Sequence, residues 1–132
     1  VALERDSLDY LHGDVTEAII GAAVQVHRAM GPGLLESVYE ACLAHELSRR
    51  GIAVQRQVEV AVEYDGIRLD CGFRIDLLVA SKVIVELKSV EKLMPIHETQ
   101  LLTYLRLSRV RVGLLMNFNC QVLVQNVKRR VV

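Results

Sequence analysis

The alternation of apolar and polar positions divides the chain into eight elements. Between Val15 and Met30, the residues Ile19, Ala22, Ala23, Val26 and Met30 recur at the spacing of one helix face. Asp14, with Glu17 three residues on, has the form of a capping box at its start, and Gly31-Pro32-Gly33 stops it. A second helix is predicted from about Leu34 to Arg50, with Leu35, Val38, Tyr39, Cys42, Leu43 and Leu47 on one broad face and Gly51 at its end. The period then changes to two. Even positions from Ile52 to Tyr64 are mostly apolar, and Gln55, Gln57, Glu59 and Glu63 stand at odd ones, as in a half-exposed strand. Asp65-Gly66 is a two-residue hairpin signal. The return strand, Ile67 to Val79, puts Ile67, Leu69, Cys71, Phe73, Ile75 and Leu77 on one face and Arg74, Asp76 and Leu78 on the other. After a tight turn at Ala80-Ser81-Lys82, a third strand runs to Ser89, rich in Val and Ile and central in character.

A third helix is expected from about Pro95 to Ser108, with Leu101, Leu102 and Leu105 as its core stripe and His97, Gln100 and Tyr104 in one line beside it. Arg109 to Met116 reads as a buried strand, Gln121 to Val127 as the last strand, and Lys128-Arg129-Arg130 as a solvated basic end. Residues 1–12 form a polar lead that reads as an N-terminal arm. The order α-α-β-β-β-α-β-β is that of an α/β fold, a mixed β-sheet flanked by helices, in one domain over residues 1–132.

Composition narrows the function. Lys plus Arg and Asp plus Glu both number 16, so the formal charge is zero, which argues against tight, non-specific duplex binding. No apolar run approaches a membrane span, and the N-terminus lacks a signal pattern. Cys42, Cys71 and Cys120 are odd in number and have no C-x-x-C spacing, as expected of reduced thiols in a cytoplasmic protein.

Charged residues interrupt the two central strands. Asp76 lies on one, and Glu86 and Lys88 share a face of the next, opposite Val85 and Leu87. Two carboxylates and an ammonium group are costly to desolvate together unless something offsets the cost. A divalent metal would, and magnesium typically takes one or two carboxylates plus a substrate phosphate. Lys88 could then orient water or offset charge on the phosphate. Taken alone, the three residues are read more economically as a structural salt bridge on a solvated face. Glu36, in the first turn of the second helix, points between Leu43 and Leu47 and adds a third acid, although Glu46 also falls on that side. Gln100 and Tyr104 either border an amphipathic helix or reach the metal site or the substrate backbone.

Gly33-Leu-Leu-Glu36-Ser-Val-Tyr39 resembles the signature of the GxxExxY proteins, a prokaryotic family of the PD-(D/E)XK nuclease superfamily. The similarity runs from about Thr16 to the C-terminus through VHRAMGPGLLESVYE, RIDLLV, VIVELKSV, HETQLLTYLRL, VGLLMNFN and the basic ending. Gln100-Leu-Leu-Thr-Tyr104 is similar to the Q-x-x-x-Y element of RecB-like nucleases. The resemblance implies a restriction-endonuclease-like core with metal-ligand roles at Asp76 and Glu86, a further acid at Glu36, and the lysine role at Lys88. By the same analogy the backbone carbonyl of Leu87 is a ligand, and Gln100 and Tyr104 lie beside the metal. One departure is Ile75, where many members have proline before the aspartate. The implied activity is a Mg2+- or Mn2+-dependent nuclease acting on DNA, with RNA as another substrate class. A non-catalytic binding or regulatory module on the same fold is the alternative. A homo-oligomer or a protein partner would then supply substrate grip.

Overall fold

The computed structural model describes residues 10–132. Residues 1–9 of the expected arm lie outside the described residues. Tyr10 and Leu11 are tied down: the Tyr10 ring packs on Gly13, and Leu11 joins the apolar core.

Helix α1 spans Gly13–Met30 and buries Ile19, Ala22, Ala23 and Val26. Its cap is not the expected one. His12, in a left-handed conformation, takes the N-cap position without a side-chain bond, and Asp14 sits inside the first turn, where its charge still suits the helix dipole. Gly31, at φ 69°, ends the helix and donates its N–H to His27 at 2.8 Å. Helix α2 spans Glu36–Arg49 and buries Tyr39, Leu43 and Leu47. Leu35 was expected on that apolar face; it is the N-cap residue and is 74% exposed. Glu46 does face inward. The guanidinium groups of Arg49 and Arg50 fork onto it and hold its carboxyl down at about 2. These arginines therefore answer a specific acid rather than the helix dipole alone.

Strands β1 (Val54–Glu59), β2 (Val62–Tyr64), β3 (Ile67–Leu69), β4 (Arg74–Val79) and β5 (Val83–Lys88) follow. Each long strand expected on either side of Asp65-Gly66 is thus broken in two. The turn itself forms with both residues at positive φ, 54° and 73°, the backbone that a two-residue hairpin favours. Helix α3 spans Pro95–Ser108, within the expected bounds, and β6 spans Val112–Asn117. The main sheet has the order β1-β4-β5-β6 followed by the last strand, β7 (Val127–Val131). The β5–β6 pair is parallel and the others are antiparallel. Strands β2 and β3 form a separate ribbon.

The last strand corrects the sequence reading. Leu123–Asn126 makes a 3₁₀ turn, and the strand lies over the residues expected to be a solvated end. Val127 and Val131 pack into the core, while Lys128 and Arg130 pair with Glu98 of α3. Both basic residues are half-buried with their charges on an acid, so a basic run can serve as an edge strand.

Helices α1 and α2 cover one face of the sheet over Leu77, Val79, Val83, Val85, Leu87, Leu114 and Met116. Helix α3 covers the other over Ile84 and Leu115. All six residues of β6 are buried, as expected of a strand covered on both faces. Helix α3 lies so close to Gly113 that a Cβ there would stand 2.8 Å from Leu101 Cδ1. Gly113→Val should therefore lift the helix that carries Tyr104 and cost about 1–3 kcal/mol. A urea denaturation midpoint equal to that of the wild type would contradict this close approach.

Candidate functional site

The centre of the molecule holds an opening in the sheet. Strand β4 pairs with β5 only at Leu77–Val85, Leu78–Ile84 and Val79–Val83, although both strands continue past that point. Beyond Leu77, side-chain carboxylates replace the ladder. The Asp76 N–H donates to Glu86 Oε1 at 3.1 Å, and the Leu87 N–H donates to Asp76 Oδ2 at 2.8 Å. On the other side the rung that would join Asp76 to Gln57 of β1 is missing between Arg56–Leu77 and Val58–Ile75. Side-chain alternation breaks here as well. Leu77 and Val79 belong to the cluster under α1 and α2, whereas Ile75 joins the cluster under α3. Ile75 and Leu77 were expected on one face; the backbone turns between them at Asp76.

This exchange explains why acids occupy the position. A buried backbone N–H without a partner is costly, and a carboxylate accepts it strongly. Asp76 in turn presses on Glu86. Glu86 is 6% exposed, and its carboxyl is pushed up to about 9, first by burial and then by the negative charge of Asp76. Burial also raises Asp76, against the pull of its bond from Leu87. Lys88 favours the charged form of both. Among the described residues Lys88 forms no salt bridge, so the economical reading of these residues as an ion pair does not describe this face.

The neighbouring segments are fastened around the pair. The buried Tyr39 donates its hydroxyl to the Gly31 carbonyl at 2.6 Å and accepts the Leu34 N–H at 3.1 Å. It also stacks on Phe118 at 4.5 Å. The Leu34 carbonyl takes the Ser89 hydroxyl, and Glu36 accepts the Ser89 N–H at 3.2 Å. Glu36 is exposed rather than inward-facing, yet it reaches the residue after Lys88. Asn117, opposite Lys88 in register, clamps Val90 through both its N–H and its carbonyl, at 3.0 and 2.9 Å.

The structure separates the line of polar residues on α3. Tyr104 is 8% exposed, and burial followed by the charges of Glu86 and Asp76 raises its hydroxyl pKa. Phe73 meets its ring edge-on at 4.0 Å. Gln100 is half-buried one turn away, with no hydrogen bond from its side chain among the described residues. His97 serves the helix end, its Nδ1 accepting the Met94 N–H at 3.0 Å.

Two residues with no assigned role in the sequence reading belong to the site. Glu40 is 6% exposed and takes both Arg56 and Gln57; Gln57 also reaches Asp76 Oδ1 at 3.5 Å. Together with Glu36, Ser37 and Asp76 these two line a cleft of about 380 Å³. Glu40 was within reach of sequence reasoning, because it stands four residues after Glu36 on one helix face. A larger cleft, about 530 Å³, lies near the end of α3 against β1 and includes neither Asp76 nor Glu86. The site follows the carboxyl pair, not the largest volume. Among the described residues no three or more His, Cys, Asp or Glu side chains form a ready cage for a metal.

The raised carboxyl of Glu86 sets a pH dependence. The folded chain keeps a proton that the unfolded chain releases above about 4.5. This contribution is fully present below that pH and is lost as pH rises towards 9. Glu86→Gln keeps an oxygen for the Asp76 N–H and removes the charge. In chelator at pH 8 the variant should be more stable than the wild type by about 2 kcal/mol. Thermal melts between pH 5 and 9 measure it; equal slopes for the two proteins would contradict the assignment.

Residues 13–130 match the family model of the PD-(D/E)XK nuclease superfamily. Comparison with curated proteins and with solved structures finds no match. The five-stranded mixed sheet flanked by helices agrees with the restriction-endonuclease-like fold of that superfamily. Its nucleases generally use divalent metals. By the extent of this match the chain belongs to the PD-(D/E)XK nuclease superfamily.

Proposed function

We propose that the chain is a divalent-metal-dependent nuclease that hydrolyses phosphodiester bonds in DNA. The observation that carries the reading is the Asp76–Glu86 pair at the opening between β4 and β5, with Glu86 buried and Asp76 half-buried, and with Lys88 beside it in no salt bridge among the described residues. In this reading Asp76, Glu86, Glu36 and the backbone carbonyl of Leu87 hold Mg2+ or Mn2+. The donor set fits such an ion, since every donor is an oxygen. Burial holds both carboxyls above their ordinary range, joined by the charge of Asp76 at Glu86 and by that of Glu40 at Asp76, so a cation would relieve them. When bound, the ion polarises a phosphoryl oxygen and lowers the pKa of an attacking water.

The chain's own residues prepare the rest. The N–H groups of Asp76 and Leu87 fix the two carboxylates before substrate arrives, so little reorganisation is needed. Lys88 orients water and offsets charge on the phosphate. Tyr104 keeps its proton, because burial and the two acids oppose its loss, and so remains a hydrogen-bond donor. Gln100 steadies the same side. Within the superfamily, the Gly33, Glu36 and Tyr39 pattern supports a place among the GxxExxY proteins.

The test is cleavage of single- and double-stranded DNA and of RNA in Mn2+, Mg2+ or chelator. Cleavage should need metal, and Lys88→Ala should reduce it about 100-fold or more. Cleavage that survives Lys88→Ala would assign it to another site. RNA cut in preference to DNA would change the substrate. No cleavage and no Mn2+ bound would favour a non-catalytic module.

A further inference from the structure

Gln57 lies within β1 at φ 52°, in the left-handed region. The other described non-glycine residues with positive φ, His12, Asp65, Ala80, Ser81 and Arg109, sit in turns or at helix ends. A side chain in that region is strained, and such strain persists where the surroundings hold it in place. The kink has two effects. It removes the rung that would join Gln57 to Asp76, and its side chain lines the cleft beside Glu36, Glu40 and Asp76.

The side chain is held from behind. Arg56 donates Nε and Nη2 to Glu40 Oε2 at 3.2 and 3.0 Å. Glu40 Oε1 remains for the Gln57 amide, which donates to it and reaches Asp76 Oδ1 at 3.5 Å. Facing two acids, the amide presents its nitrogen to both. Asp76 then faces a donor at each oxygen, the Gln57 amide at the long distance of 3.5 Å from Oδ1 and the Leu87 N–H at 2.8 Å from Oδ2.

We propose that Gln57 is a positioning residue: locked by the Glu40–Arg56 pair, its amide fixes the Asp76 carboxylate in the orientation that the metal site requires. The metal part of this proposal rests on the nuclease reading, but the orientation of Asp76 does not.

Gln57→Gly removes the amide and suits the left-handed backbone. Gln57→Asn tolerates the same φ and shortens the side chain by one methylene. Three readouts on the full chain decide the matter: the thermal midpoint, the exchange rate of the Leu87 amide by NMR, and Mn2+ affinity by calorimetry. For Gln57→Gly the midpoint should hold or rise. Leu87 exchange should quicken at least tenfold, and Mn2+ affinity should fall about tenfold, as on losing a partner behind a ligand. Gln57→Asn should shift both in the same direction. Unchanged Leu87 exchange in both variants would overturn the proposal, whatever the metal does. Mn2+ affinity equal to that of the wild type would overturn its metal part. A wild type that binds no Mn2+ would overturn the nuclease reading, and the Leu87 amide would still decide whether Gln57 holds Asp76.

Discussion

Two backbone N–H groups, those of Asp76 and Leu87, are satisfied by side chains where a sheet would ordinarily satisfy them with carbonyls. The arrangement of the centre depends on this exchange. It lets β4 and β5 part without leaving buried donors unpaired. It also makes the two acids part of the sheet, since an apolar residue at position 86 would orphan the Asp76 N–H and one at position 76 would orphan that of Leu87. Structural need and chemical opportunity thus fall on the same oxygens. The unfavourable proximity of two carboxyls is tolerated because each completes the other's strand.

The remaining parts reach this opening from distant segments. Tyr39 ties the Gly31–Leu34 loop, that loop holds Ser89, and Ser89 holds Glu36. Asn117 fixes Val90 from the neighbouring strand. The tyrosine of the Gly33–Tyr39 pattern is therefore a fastener, and the glutamate three residues before it is the group it sets in place. Helix α3 brings Tyr104 from the other face, held close by Gly113.

Much of the fold was legible because its causes are local. Helix periodicity, the proline in the first turn of α3 and the Asp65-Gly66 turn each specify a nearby backbone. Asp76, Glu86 and Lys88 were legible as charges on strands that are otherwise apolar. What was hidden depends on distant contacts. Counted back from Asp65-Gly66, Gln57 would face Arg74. The break between β3 and β4 at residues 70–73 shifts the register by two and brings it opposite Asp76 instead. Lys128 and Arg130 looked solvated because their partner, Glu98, lies about thirty residues away in the chain. Glu46 looked ambiguous until its two arginines were seen to fork onto it.

The kink at Gln57 has a consequence for assembly. β1 is an outer strand of the sheet, and a regular outer strand offers a template on which another strand can pair. Here the left-handed residue turns the backbone out of line, and Arg56, drawn onto Glu40, stands next to it. The opposite margin, β7, carries three consecutive basic residues. Both margins of the sheet are thus poor templates for a further strand, which disfavours the growth of one continuous sheet from copy to copy.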